Sequence, residues 1–425
     1  MRKSIFLLFA AFATLLVGCQ REEIDGGQGL GIGIVQEDEN ENEDEEEEDD
    51  DEEGSTIEIE IDDMLYLLNL KKKTAVLQEY YELYAETINI PATVTHDGVE
   101  YSVTSIGNYA FSYSRYINTI NLPESVKRIE SGAFYKCNEL TAINIPKNSK
   151  LTVIDDEAFY ECSILTTIDI PGGVKRIGRD AFYKCTELAT INIPMNSKLT
   201  SIEIGAFSKC SSLTTINIPE GVKSIEESTF YRCYSLTSIT IPEGVTSIGS
   251  SAFLECGRLT TVDVPESVTS IGSSAFRSCG NLTSINIPEG VTSIESSAFH
   301  SCGSLTTITI PEGVTSIGNS AFRSCYSLTA ITIPESVVVI DDWAFCNCYE
   351  LTAITIPASV KRIGEEAFYS CENLTSLKVL PTTPPSTGDD CFDFLDITTL
   401  YVPAAAVDTY RSTYPWSDFS SINSL

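Results

Sequence analysis

Fourteen cysteines, two histidines and 61 carboxylates are the residues of this 425-residue chain that could carry chemistry. Eleven cysteines keep one position in a repeating pattern: Cys137, Cys162, Cys185, Cys210, Cys233, Cys256, Cys279, Cys302, Cys325, Cys348 and Cys371. A thiolate can attack or bind metal, and paired thiols can bridge, but each use needs partners close by. Cys346-x-Cys348 could chelate a metal, yet no His or second Cys pair supplies the rest of a site. His96 and His300 are far apart, and no Ser-His-Asp set, P-loop, zinc motif or dinucleotide fingerprint accompanies them. The carboxylates recur as stripes instead of converging in one pocket. Neither catalysis nor a cofactor or metal is therefore expected.

The elements that would position these residues follow from one repeat. Phe recurs at 111, 134, 159, 182, 207, 230, 253, 276, 299, 322, 345 and 368, in steps of 23 with two steps of 25. Pro keeps pace from Pro123 to Pro357, and the longer steps add residues just after it, within 147–150 and 195–198. A fixed short period means a solenoid, in which each unit buries its apolar face only against its neighbours. Within one unit, Leu213-Thr214-Thr215-Ile216-Asn217-Ile218 ends in strand-like alternation and Pro219 stops the ladder. Leu213, Ile216, Ile218, Val222, Ile225 and Phe230 are expected inside. The Ala-Phe-x-x-Cys segment suits a helical or 3₁₀ turn.

These residues resemble the BspA-type leucine-rich repeat. The pairing of L-x-x-I-x-I-P with A-F-x-x-C carries the resemblance over roughly residues 88–380. It implies a β-rich solenoid, a right-handed leucine-rich repeat of about 12 coils between two caps. Residues 56–104 read as an N-terminal β cap, with strands over 56–61, 65–70 and 75–80 and a hairpin about Asp97-Gly98. The solenoid occupies 105–380. Residues 381–425 read as a C-terminal cap, with a short helical stretch over 404–414 and Trp416 and Phe419 covering the last coil.

Stacked coils also decide what the cysteines do. Register-matched Cβ atoms would lie about 4.8 Å apart, more than the ~3.8 Å usual in a disulfide. A ladder of buried free thiols is the expectation, with some bridges as the alternative. Without Cys19 the count is 13, so intramolecular pairing cannot be complete.

The N-terminus reads as an address. Arg2 and Lys3 precede an apolar stretch too short to span a membrane, which ends in Leu16-Val17-Gly18-Cys19. That ending resembles a bacterial lipobox, implying a signal peptide over 1–18 and a lipid on Cys19. The acidic residues behind it resemble the surface-export signal of Bacteroidetes lipoproteins, implying an outer-membrane, surface-exposed protein held through lipid. Of the net charge of −34, the tract 37–53 carries −15 and residues 54–425 carry −19. The segment 19–55 reads as a self-repelling tether, with a divalent-cation buffer as the sharper alternative. An acidic chain without a basic stripe excludes nucleic acid as partner.

Two outer faces could bind. The strand face presents Asn144, Asp169, Asn192 and Asn217 among threonines, a flat surface without aromatics. The side after the repeat Phe is irregular: Tyr135, Tyr160, Tyr183 and Tyr231, joined by Lys136, Lys184 and Arg232. Exposed Tyr and Arg favour protein interfaces. A third stripe, Glu220, Glu243, Glu266, Glu289, Glu312 and Glu335, reads as solubility. Together these imply a monomeric surface lipoprotein that binds protein or cell-surface ligands, adhesin-like. Glycan capture and a non-adhesive spacer are the other readings.

Overall fold

In the computed structural model the chain divides into two units, 1–51 and 52–425. The residues described are 55–81, 84–393, 395 and 399–425, all in the second unit. The expected signal peptide, Cys19 and the whole acidic tract 37–53 lie outside them.

The N-terminal cap is built as the alternation dictates. Strands β1 (Thr56–Ile61), β2 (Met64–Asn69) and β3 (Thr74–Tyr80) form antiparallel hairpins, each starting within one residue of expectation. Strand β4 (Thr87–Asn89) opens one coil ladder. Strands β5 (Thr93–His96) and β6 (Val99–Ile106) pair across Asp97 and Gly98, both at positive φ as a two-residue hairpin demands. β6 then lies parallel to β3 and starts a second ladder.

From there the chain is a parallel β-solenoid of about 14 turns. Each coil has three segments. The first is the Thr-Ile-Asn strand, which pairs in register from coil to coil, as in Thr190↔Thr215 and Ile191↔Ile216. The second is a two-residue strand ending in the next Ile, such as Ser224–Ile225. The third, around Ala-Phe-x-x-Cys, forms two successive turns instead of a helix, because two residues in it are left-handed. Its N–H groups reach the next coil: Gly205 bonds Glu227 O (2.9 Å), Phe207 bonds Thr229 O (3.0 Å) and Lys209 bonds Tyr231 O (2.6 Å). Two more strands, Thr399–Val402 and Ser421–Ser424, continue the first ladder past the expected last coil. This is why the turns outnumber the expected dozen.

The interior is where the pattern placed it. Leu213, Ile216, Ile218, Val222, Ile225 and Phe230 are all buried. The repeat phenylalanines stack from Phe111 to Phe392, with ring centroids 5.1 to 6.0 Å apart. Tyr80 closes one end of this column at 5.3 Å. Trp416 and Phe419 close the other, 5.0 and 5.6 Å from Phe392. The helical part of the C-terminal cap is short, a 3₁₀ turn at Ala404–Ala406 and α1 at Val407–Arg411.

The thirteen described cysteines are free and buried. Each of the eleven register-matched thiols donates to the carbonyl of the preceding coil's Phe, at 3.0 to 3.2 Å. Burial pushes Cys325 and Cys371 up to about 12, so a reactive thiolate is not accessible near neutrality.

Two outcomes are expected. In a Cys19→Ser chain, a maleimide should leave native protein nearly unlabelled and modify all thirteen thiols after guanidinium unfolding, as read by intact mass. Few new thiols on unfolding would sink the free-thiol ladder. Phe253→Ala should cost about 3 to 5 kcal/mol in denaturant melts, because stacked neighbours on both sides hold the cavity open.

Candidate binding surface

Most turns along the third segment hold two left-handed positions. One falls just before the Ala-Phe pair and one just before Cys. In six successive coils the second is Tyr113, Lys136, Glu161, Lys184, Lys209 and Arg232, with φ of 54 to 60°. The left-handed region costs a side-chain-bearing residue about 1–2 kcal/mol. Inter-coil bonds offset part of that cost, such as Lys136 N–H to Tyr160 O at 2.7 Å. The left-handed backbone turns these side chains out of the core, beside the residue that follows Phe.

What results is an aromatic and cationic stripe. Tyr135 and Tyr160 stack at 4.8 Å, and Tyr160 and Tyr183 at 4.7 Å. Lys136 Nζ lies 5.3 Å from the Tyr135 ring and Lys184 Nζ 5.7 Å from the Tyr183 ring. Glu161 joins the two ammonium groups, at 3.5 and 3.0 Å. Ser208 interrupts the tyrosines, and Lys209 bridges the gap. Its Nζ donates to the Tyr183 hydroxyl at 2.6 Å and lies 5.9 Å from the Tyr231 ring. Arg232 covers Tyr231 at 4.9 Å and holds Glu255 through Nε and Nη2, at 3.0 and 3.2 Å. Burial pushes the Tyr135 hydroxyl up to about 12 and raises Tyr160 further. These hydroxyls stay protonated and available as donors.

The stripe begins earlier than sequence reading placed it. Tyr109 and Tyr113 meet the edge of Tyr135 at 5.9 and 5.6 Å. Tyr84 packs on Tyr116 at 5.3 Å. Tyr113, Arg115 and Tyr116 line a recess of about 260 Å³ with Ser112 and Ser114. Tyr113 and Tyr116 are 59% and 51% exposed, so their rings are open to contact. Gly132 makes room for Tyr109: a Cβ there would fall 2.3 Å from its ring, and its φ is +61°. The available signal was substitution within the repeat, Tyr and Ser where later coils carry Lys, Ser and Cys.

Charges lie beside the stripe. Arg176 binds Asp155, Asp156 and Glu203, and Arg128 reaches Asp155 at 2.9 Å. Burial is the largest single influence on Asp155 and opposes its ionisation, yet the hydrogen bonds from Arg176, the Asp156 N–H and Arg128, with the charge of Arg176, together outweigh it and hold the carboxyl below its ordinary value. Asp180 differs. Burial first, and then the charge of Glu157, push it up to about 6 against the opposing charges of Arg179 and Lys209.

The strand-face residues form a separate set. Asn192 Nδ2 donates to Asp169 Oδ1 at 2.6 Å, while Asn144 donates backward to Asn121 at 2.6 Å. Asp169, Asn192 and Asn217 share a groove whose lining includes none of the tyrosines. The candidate residues thus occupy two separate surfaces. Among the described residues, no group of three His, Cys, Asp or Glu could hold a metal ion, and no helix is long and apolar enough to cross a membrane.

The BspA type leucine-rich repeat region matches residues 80–198, 192–306 and 292–417, in six copies. The chain is similar to a leucine-rich repeat protein from Bacteroides ovatus, with 27% identity and a TM-score of 0.65, covering 86% of this chain and 99% of that one. It is also similar to a leucine-rich cell surface protein from Faecalibacterium prausnitzii, with 30% identity and a TM-score of 0.48, covering 76% and 94%. For the pneumococcal vaccine antigen PcpA the identity is 20% and the TM-score 0.47, covering 87% and 98%. No curated protein matches the chain.

Asp180 yields a pH prediction. Its folded value of about 6 lies above the ordinary 3.8, so the folded state takes up the extra proton between those limits. Charge on Asp180 therefore opposes folding above about pH 6, and that opposition is gone below about pH 4. Asp180→Asn should raise the melting temperature near pH 7.5 and leave it unchanged near pH 4. An equal shift at both pH values would show that charge is not the cause.

Proposed function

This chain belongs to the BspA-type leucine-rich repeat family, and on that premise we propose that it is a surface lipoprotein binding a protein or cell-surface ligand, adhesin-like. The lipid would sit on Cys19, holding the protein to the outer membrane, with the acidic tract as tether.

One observation supports the reading most: the contrast between an invariant interior and an irregular aromatic stripe. The core repeats Leu, Ile, Phe and Cys with little change, because every coil must fit the next. The position after Phe is under no such demand. It is Tyr at 135, 160, 183, 231 and 369, but Ser208, Leu254, Arg277, His300, Arg323 and Cys346 elsewhere. A pure spacer has no use for this variation. Tyr and Arg with interspersed Ser, as in Ser112-Tyr113-Ser114-Arg115-Tyr116, form the composition that binding loops use. Rigid rings supply area at low entropy cost and the small hydroxyls adapt. The rings of Tyr135, Tyr160 and Tyr183 are pressed face to face, which leaves edges and hydroxyls for a partner. That geometry suits a protein surface better than a sugar ring, which gains its tightest contacts by stacking on an open aromatic face.

Two variants test the stripe: Tyr135→Ala/Tyr160→Ala/Tyr183→Ala, and Tyr113→Ala/Tyr116→Ala. Binding to a panel of extracellular-matrix proteins and whole bacteria is read by biolayer interferometry and flow cytometry. Each variant should weaken the best ligand at least about 30-fold, corresponding to ~2 kcal/mol. Unchanged binding in both, at unchanged melting temperature, would remove the stripe from consideration.

A further inference from the structure

A groove on the opposite, Pro-bearing corner lies outside the tyrosine stripe. Its origin is visible in the sequence. The two 25-residue steps enlarge the loops at 147–150 and 195–198, and the coil between them turns on Gly172-Gly173. Lys198 N–H bonds Gly172 O at 2.9 Å, tying the second loop to the recessed turn. Between the loops lies an open groove of about 440 Å³.

The chemistry of this groove differs from that of its counterparts. Glu124 and the six later glutamates follow Pro in other coils, whereas Lys147, Gly172 and Met195 follow it here. The equivalent recess over later coils, about 330 Å³, is lined by Glu312 and Glu335. In the inserted region the charged lining residues are one base, Lys147, and one acid, Asp169, both exposed. Asn192 and Asn217 add amides, and Asn192 occupies only one Asp169 oxygen. Pro146, Pro171 and Pro194 form an apolar ridge alongside.

We propose that this groove is a second binding site, for a neutral oligosaccharide. Balanced charge selects against a ligand of strong net charge, which the glutamate-lined recesses would treat differently. Carboxylate, amide and ammonium side by side offer acceptors and donors at close spacing. A sugar hydroxyl is both at once and can answer either. The proline ridge meets the C–H face of a pyranose, and the volume falls within the range of small-molecule sites. Without an aromatic platform, affinity for one oligosaccharide is weak, with a dissociation constant roughly millimolar. This inference does not rest on the tyrosine reading.

The test uses the full chain and saturation-transfer NMR with linear hexasaccharides of glucose, mannose and xylose, and with hexagalacturonate as the charged control. At least one neutral hexasaccharide should receive saturation. Asp169→Ala/Asn192→Ala should weaken its binding at least about tenfold. Gly172→Arg offers an independent block. A Cβ at Gly172 meets only Pro194 Cγ, at 4.0 Å, so the long side chain can fill the groove without forcing the backbone. Tyr135→Ala/Tyr160→Ala/Tyr183→Ala should leave sugar binding intact. The proposal is overturned if no neutral hexasaccharide binds, if hexagalacturonate alone binds, or if binding survives Gly172→Arg at unchanged melting temperature.

Discussion

Parallel hydrogen bonding sets each coil one strand spacing from the next and in register with it, so every side chain meets its own counterpart. For apolar groups this is favourable without further adjustment. Thirteen phenylalanines form one column because each ring offers its face to an identical ring, offset and nearly parallel. For thiols the same constraint decides the chemistry. Parallel Cβ atoms at about 4.8 Å are too far apart for an unstrained bridge. The thiols turn to the Phe carbonyl below instead and satisfy a buried acceptor. A repeat built this way gains stability from each interface it adds.

Like on like is costly for charges, and the surface is arranged around that cost. Two unit charges about 5 Å apart in water repel by roughly 1 kcal/mol. Before Cys the order runs Lys136, Glu161, Lys184, which turns repulsion into a bridge at each step. Arg176 does the same for Asp155, Asp156 and Glu203. Asp180 has no comparable bridge and its carboxyl resists ionisation. The glutamates after Pro sit on exposed turns, where solvent and salt screen them.

Much of this was legible because the repeat is a physical statement. The period gave the solenoid, the alternation gave the inward residues, and Trp416 and Phe419 cap the column as their position suggested. What escaped has specific causes. The left-handed residues of this segment are Lys, Glu, Ser, Arg, Tyr, Asp, Asn and Trp, with glycine only at Gly132 and Gly205, so no glycine signal marks them in most coils. The fold tolerates them because inter-coil bonds hold the backbone, a tertiary effect with no local signature. Tyr84, Tyr109, Tyr113 and Tyr116 fall where the first coil departs from consensus, so aligning repeats on Phe and Cys passes over them.

Recognition in such a molecule has to come from departures from the repeat. A feature present in every coil is already used in stacking coil on coil: a Phe face, a thiol, a backbone N–H. It can also bind only in a sliding, register-free way, because any position along the ladder is equivalent to the next. Specificity needs an origin, and the chain has two. One is the start of the tyrosine stripe, where Tyr113 takes a position held by Lys136, Glu161 and Lys184 in the next coils and Tyr116 one held by Glu139 and Glu187. The other is the pair of two-residue insertions around Gly172, which enlarge the loops and replace the acidic stripe with Lys147 and Met195. Both lie in the N-terminal half, while the coils from Pro242 to Pro334 keep their Glu after each Pro and their spacing. The regular half holds the irregular half as a stiff mount, and the chemistry that distinguishes one partner from another is confined to the coils that depart from the rule.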